Sequence, residues 1–393
     1  MLNFEYYSPT KIYFGKNREA EVGKIIKGYG FKKILVHYGK GSIKTNGLYD
    51  KIMSLLKAEG IEVVELGGVE ANPKLSLVKS GIELVRKEKV EMILAVGGGS
   101  VIDSSKAIAC GYYADFDPWL FNIHEKTPTK ALPIGVILTI SAAGSELSNS
   151  CVITNEETKV KSGFNNDIVR PLFSIMDPTL TFSVSKFQTG CGIVDIMMHT
   201  LERYLVDEGR NELQLSFCEG LLHSVMEAGK VVINNPSDYE GRATLMLASS
   251  FSHNGLTGIG SKMYFTVHKI EHEISGMFDY VAHGAGLSVL FIAWAKYLYQ
   301  DYDKIFSRFA YNVMGVSKDV PSVAAALEGI TKLEAFFRSL GMPTRLEELH
   351  IDESKVEEMA KRITKNDTTF VPGIKKLNLS DVINIFELTK GEH

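Results

Sequence analysis

The chain is short of cysteine, of net charge and of long apolar runs, and each shortage removes a class of protein. Its four cysteines, Cys110, Cys151, Cys191 and Cys218, stand far apart with no Cys-x-x-Cys pair, which argues against a disulfide framework and a thiolate zinc site. Lysine and arginine number 43 against 47 aspartates and glutamates, so the formal charge is −4 and no basic excess exists to neutralise a nucleic-acid backbone. No run of about 18 uncharged apolar residues occurs. Met1 to Lys16 alternates aromatic with polar residues and lacks the apolar stretch of a secretory signal. The expectation is a soluble, cytoplasmic protein with neither nucleic acid nor membrane as partner. What is present is ample apolar material, 45% of 393 residues, enough for about two domains of ~150 residues each.

Up to about residue 180, β-branched runs alternate with helical patterns. Candidate strands are Lys33 to His37, Ile61 to Leu66, Glu91 to Val96, Pro133 to Leu138 and Leu172 to Met176, with helices expected over Gly47 to Glu59, Leu75 to Glu88 and Val101 to Tyr112. Such alternation implies a mostly parallel sheet covered on both faces. Cys151 to Phe164 reads as a hairpin around Asn155-Glu156-Glu157-Thr158. Beyond Asp177-Pro178 strand signals nearly vanish and long helical stretches follow, among them Asn211 to Ile233, Arg242 to Phe251, Lys262 to Met277 and Ser322 to Leu340. The division expected is an α/β domain over 1–180 and an all-helical domain over 181–393.

The clearest local signal is an apolar strand, Leu94-Ala95-Val96, running into Gly97-Gly98-Gly99-Ser100 and then a helix. Glycines let a ligand approach the backbone, Ser100 and Asp103 have the spacing of a capping box, and the free amides of a helix start suit a pyrophosphate. A second turn, Gly39-Lys40-Gly41-Ser42, follows the strand ending at His37. An NAD-selecting site places a carboxylate near such a strand end; this turn has none, and Lys40, Ser42 and Lys44 form a set that tolerates or favours the 2′-phosphate of NADP(H).

In the helical half, Asp195 and His199 stand at i and i+4 among apolar neighbours, and His268 and His272 repeat that spacing in HKIEH, with His283 following. Residues four apart share a helix face, and a carboxylate buried without a partner is costly. Three imidazoles and one carboxylate suffice for a divalent metal, and the N/O set suits Zn²⁺ or Fe²⁺. HKIEH has the spacing of HExxH without its glutamate, so a metalloprotease would lack its general base.

GGGSVIDSSKAIA at Gly97 to Ala109, the stretch Leu138 to Glu146, Met176 to Leu205 and His268 to Leu287 occur in the order found in iron-containing (group III) alcohol dehydrogenases. Over nearly its whole length the chain resembles that family and its butanol dehydrogenase-like, NADPH-dependent branch. The resemblance implies an N-terminal Rossmann-like dinucleotide-binding domain and an all-helical metal-binding C-terminal domain, the dehydroquinate synthase-like architecture. It assigns Asp195, His199, His268 and His283 as metal ligands and places His272 near the substrate. It matches Gly97, Gly98, Gly99 and Ser100 to the pyrophosphate turn, Thr139 and Lys161 to cofactor contacts, and Gly39 to Ser42 to the loop where NADP-preferring members carry glycine. Two departures stand out. Ala142-Ala143-Gly144 replaces a threonine-containing turn, with Ser141 nearby, and Asp279 to His283 is one residue longer than usual.

The activity implied is reversible reduction of an aldehyde to a primary alcohol by a homodimer, in the cleft between its two domains, with proton delivery through His272 or the nicotinamide ribose hydroxyls. Phe251, Met263, Phe265 and Trp294 are candidate pocket residues. The rival readings are a non-redox metal enzyme of the dehydroquinate synthase type and a non-catalytic dinucleotide-binding sensor.

Overall fold

In the computed structural model, which describes residues 1–390, eight strands carry the α/β half: β1 (Lys11–Phe14), β2 (Lys33–Gly39), β3 (Glu62–Val69), β4 (Met92–Gly97), β5 (Ile134–Leu138), β6 (Ser150–Asn155), β7 (Val160–Asn165) and β8 (Phe173–Met176). Six form one sheet in the order β1-β8-β5-β4-β2-β3, every pairing parallel, and β6 and β7 form an antiparallel hairpin. Helices α1 (Val22–Gly28), α2 (Ser42–Thr45), α3 (Leu48–Ala58), α4 (Leu75–Glu88), α5 (Gly99–Gly111) and α6 (Trp119–Asn122) lie between the strands in sequence. Side-chain alternation splits the core: Ile34, Val36, Met92, Leu94 and Val96 enter one cluster, while Leu35, Ile93 and Ala95 enter the other. Both faces are therefore dry, as a parallel sheet requires. Strand β1 forms one edge of this sheet, beside β8.

The expected strands and helices of this half are present, with ends that coincide or shift by at most three residues. The predicted capping box is not: the N-cap of α5 is Gly98, with no side-chain cap. Asp103 turns away to accept from Ser145 Oγ at 2.5 Å and Val152 N at 3.0 Å. It shares that corner with Lys106, a fully buried cation whose Nζ donates to the carbonyls of Ser145, Ser148 and Ser150 at 2.8, 3.0 and 2.8 Å. Burial pushes the Lys106 pKa down, opposed by Asp103.

The helical half contains α7 (Lys186–Tyr204), α8 (Glu212–Asn234), α9 (Tyr239–His253), α10 (Thr266–Met277), α11 (His283–Leu298), α12 (Asp303–Asn312), α13 (Ser322–Ser339), α14 (Val356–Ile363) and α15 (Leu379–Glu387). No helix among the described residues is long and apolar enough to cross a membrane. The compact units differ from a single cut at residue 180: one comprises Tyr7–Val184 with Pro236–Asn254, the other Met1–Tyr6, Ser185–Asn235 and the chain from Gly255 onward. Helix α9 groups with the sheet through apolar and polar contacts: Met246 and Leu247 join the cluster of Leu35, Ile93 and Ala95. Ser250 Oγ donates to Glu146 Oε1 at 2.5 Å, His253 Nδ1 lies 2.7 Å from the Ala143 carbonyl, and Ser249 Oγ bonds Ala142. Gly144 sits at φ +65°, and a Cβ there would lie 2.3 Å from the Ser249 carbonyl oxygen, so both conformation and contact demand glycine.

Lys106→Met, which leaves three buried carbonyls without their donor, is expected to destabilise the protein by about 3 kcal/mol. Chemical denaturation monitored by circular dichroism checks this, an unchanged midpoint being the contrary result.

Candidate metal centre and dinucleotide turn

Helix α7 is buried around its whole circumference from Thr189 to Tyr204, yet it carries Asp195, His199 and Glu202 at i, i+4 and i+7 on one face. Asp195 Oδ1 is the point of convergence. His199 Nδ1 lies 3.3 Å from it, His268 Nε2 3.6 Å and His283 Nε2 4.0 Å. The sequence-assigned ligands thus come together from α7, α10 and the first residue of α11. Asp195 Oδ1 and His268 Nε2 are buried with no hydrogen-bond partner, which is the state of atoms that face a cation. Atoms of this nitrogen and oxygen set fit a first-row divalent metal.

Two carboxylates that sequence reasoning missed hold the rings in place. Glu202 pairs with His268 Nδ1 and also accepts from the Val267 amide at 2.7 Å and the His268 amide at 3.2 Å, so it caps the start of α10 while it orients the His268 ring. Glu271 pairs with His283 Nδ1. In both cases Nε2 is directed inward, the arrangement usual for metal-bound histidine. The signal was available: Asp-x₃-His-x₂-Glu is a one-face stripe, and Glu271 follows His268 by three. Burial disfavours a charged His268, but Glu202 and Asp195 outweigh it and raise its pKa to about 9. The pocket therefore calls for positive charge.

Glycines explain the geometry of α11. A Cβ on Gly284 would lie 2.2 Å from the Cys191 carbonyl oxygen, so α11 meets α7 backbone to backbone one turn before Asp195. A Cβ on Gly286 would meet Glu271 at 2.9 Å, so that glycine leaves room for the carboxylate orienting His283. The longer Asp279 to His283 stretch ends with His283 at the site, at the longest of the three distances to Asp195. Glu271, His272 and His283 also lie close enough to share an ion. Glu271, however, is already engaged by His283 Nδ1 and Ser275 Oγ, which favours the Asp195 set. His272 is half-buried, its ring 5.7 Å from that of His283.

Of the candidate pocket residues, Phe265 alone touches the site. It stands edge-on to His199 and His268, with centroids 6.1 and 5.3 Å away, and its other neighbour is the Arg203 guanidinium at 4.5 Å. Arg203 Nη1 donates to the His199 carbonyl at 2.6 Å. Trp294 packs in the core against Phe291 and Phe306 at tilted angles, Met263 is half exposed, and Phe251 belongs to α9 in the other unit.

In the α/β unit, the chain runs outward from β2 to β3 and then resumes on the other side of β2 with β4, so the sheet reverses its winding between β2 and β4. Ligands of such sheets bind outside the strand ends at that reversal. Gly39 ends β2 and Gly97 ends β4, which brings both glycine turns to one crevice. Gly98, Gly99 and Ser100 are half-exposed, whereas the strand before them is buried. A Cβ on Gly98 would lie 2.2 Å from Ile140 Cγ2, and Thr139 N donates to the Gly97 carbonyl at 3.1 Å, so the turns after β4 and β5 are locked together. Ser141 Oγ in that second turn is buried with no partner, as befits an atom that faces a ligand. Lys161 lies on β7 opposite Thr154, and its charge acts on Asp103. The β2 turn has no carboxylate of its own, but Gly39 pairs with Val69 and the next residue, Glu70, meets Lys40 Nζ at 2.5 Å. The local sequence around β2 could not show that neighbour.

Residues 9–178 match the family described as iron-containing alcohol dehydrogenase, and residues 189–389 match the Fe-containing alcohol dehydrogenase family, C-terminal. NADH-dependent butanol dehydrogenase A of Clostridium acetobutylicum is 42% identical, covering 98% of this chain and 99% of that protein. NADPH-dependent aldehyde reductase YqhD of Escherichia coli is 33% identical over 94% of this chain and 95% of its own. The crystal structure of NADH-dependent butanol dehydrogenase A from Thermotoga maritima superposes with a TM-score of 0.95 at 38% identity, covering 100% of this chain and 99% of that one. The chain belongs to the iron-containing alcohol dehydrogenase family and is butanol dehydrogenase-like.

Removing an orienting carboxylate by Glu271→Gln is expected to weaken Zn²⁺ or Co²⁺ binding about 10- to 100-fold with the fold intact. Competition against a chromophoric chelator measures it; unchanged affinity would separate Glu271 from metal binding.

Proposed function

We propose that the chain is a metal-dependent alcohol dehydrogenase and aldehyde reductase that interconverts primary alcohols and aldehydes by hydride transfer with a nicotinamide dinucleotide. The observation that carries this reading is the convergence of three imidazole nitrogens within 4.0 Å of Asp195 Oδ1. The butanol dehydrogenase and aldehyde reductase relatives support the substrate class. Asp195, His199, His268 and His283 would hold Fe²⁺ or Zn²⁺. When bound, such a cation supplies Lewis acidity toward a substrate oxygen, and the dinucleotide supplies or accepts the hydride.

The chain's own groups do the rest. Glu202 and Glu271 fix the inward tautomers of His268 and His283, so no ring rearrangement is needed when substrate arrives. The half-buried His272 imidazole is suited to exchange a proton between the substrate oxygen and water. At the sheet, the amides of Gly99 and Ser100 in the first turn of α5 lack intrahelical acceptors and suit a pyrophosphate, with Ser141 Oγ, Thr139 and Lys161 as further cofactor contacts. The turn Gly39, Lys40, Gly41 and Ser42 supports NADP(H), while relatives named NADH-dependent support NAD(H) as its competitor. The active form is proposed to be a cytoplasmic homodimer.

Asp195→Ala and His199→Ala are expected to lose bound metal and to lower aldehyde-dependent NAD(P)H consumption by more than about 100-fold. Full turnover after chelation would instead favour a metal-independent enzyme, and dinucleotide binding without turnover a sensor. His272→Ala is expected to retain metal while kcat falls about 100-fold; an undiminished kcat would place the proton route elsewhere.

A further inference from the structure

We infer that the Lys40–Glu70 pair sets the chain's choice between the two nicotinamide dinucleotides, with Glu70 as the discriminating carboxylate. This rests on the dinucleotide reading of the β2 and β4 turns. Glu70 is remote from the β2 turn in sequence and is delivered there by sheet register, because β2 and β3 run in parallel to Gly39 and Val69 and Glu70 is the next residue. Its Oε1 sits 2.5 Å from Lys40 Nζ. A second cation follows on α2: Lys44 Nζ is 5.1 and 4.7 Å from the ring centroids of Tyr38 on β2 and Tyr49 on α3, whose hydroxyls both donate to Glu65, so it is held by two aromatic faces. The turn and α2 thus present two cations, with Glu70 paired to Lys40 and Glu65 behind the tyrosines that hold Lys44, not the purely cationic set visible in Gly39 to Lys44 alone.

This arrangement has two uses. Lys40 and Glu70 are both substantially exposed, at 70% and 41% of their side-chain surface, and an ion pair that open to water is readily exchanged. A 2′-phosphate can take Lys40 away from Glu70, gaining a charge-assisted bond while meeting the repulsion of the carboxylate it displaces. An unphosphorylated ribose lets Glu70 accept its hydroxyls directly, the role such carboxylates have at the strand ends of dinucleotide folds. Glu70 therefore favours NAD(H) twice, by accepting from ribose and by neutralising Lys40. Lys40 favours NADP(H) only to the extent that Glu70 releases it.

The test is fluorescence titration of the intact protein with NADPH and with NADH, comparing the ratio of the two dissociation constants among wild type, Glu70→Gln, Lys40→Met and the double variant. Glu70→Gln is expected to move the ratio toward NADPH by about tenfold and Lys40→Met toward NADH by a similar factor, with the double variant near wild type and both shifts shrinking at high salt. Single-variant ratios within twofold of wild type, or shifts of the same sign, overturn the inference. Failure of the wild type to bind either dinucleotide overturns the dinucleotide reading and this inference with it.

Discussion

A carboxylate and two imidazoles buried in a helical unit, with a half-buried third beside them, are tolerable only if something positive stands among them, and much of that unit's local architecture serves this constraint. Asp195 projects from a helix buried on all sides, where a lone anion costs several kcal/mol. Glu202 and Glu271 add further negative charge next to the same rings. With this much acid around so few imidazoles, the raised pKa of His268 and the orphaned atoms of Asp195 and His268 are two expressions of one deficit. The fold supplies the rigidity that makes the deficit specific for a small ion. Gly284 brings α11 onto the α7 backbone, Gly286 makes space for Glu271, and Glu202 ties the start of α10 to α7.

The α/β unit solves a different problem by related means. Its glycine turns are packed as well as open: Gly97 lies under Val101 and Gly98 under Ile140, so both are excluded from carrying side chains even before a ligand is considered. Buried Lys106 and Asp103 knit the α5 helix to the 145–152 segment, and α9 braces the neighbouring 142–146 turn. The glycine turn after β4 therefore stands on a stiff base.

Much of this was legible in the sequence because the signals were local. Strand and helix periodicity marked β2, β4, β5, α4 and α8 closely, and the i, i+4 spacings of Asp195 with His199 and of His268 with His272 put candidate ligands on common faces. What could not be read was anything that depends on register or on helix approach. Ser100 and Asp103 had the spacing of a cap, but tertiary partners at Ser145 and Val152 claimed Asp103. Glu70 is thirty residues beyond Lys40, and only strand pairing makes them neighbours. The interval 236–254 had the helical pattern of its surroundings, so the serine and histidine contacts that group α9 with the sheet left no trace in periodicity. The functions of Glu202 and Glu271 were hidden for another reason, since acidic residues on helices are ordinarily solvated and only burial distinguishes these two.

One ion among four side chains is what the helical unit is built to hold. Crystals soaked in Zn²⁺ or Co²⁺ and measured at the metal's absorption edge test it most directly. One anomalous peak per chain is predicted, about 2.0–2.2 Å from Asp195 Oδ1 and from a ring nitrogen each of His199, His268 and His283. No peak there, or a peak held by Glu271, His272 and His283 instead, would contradict it.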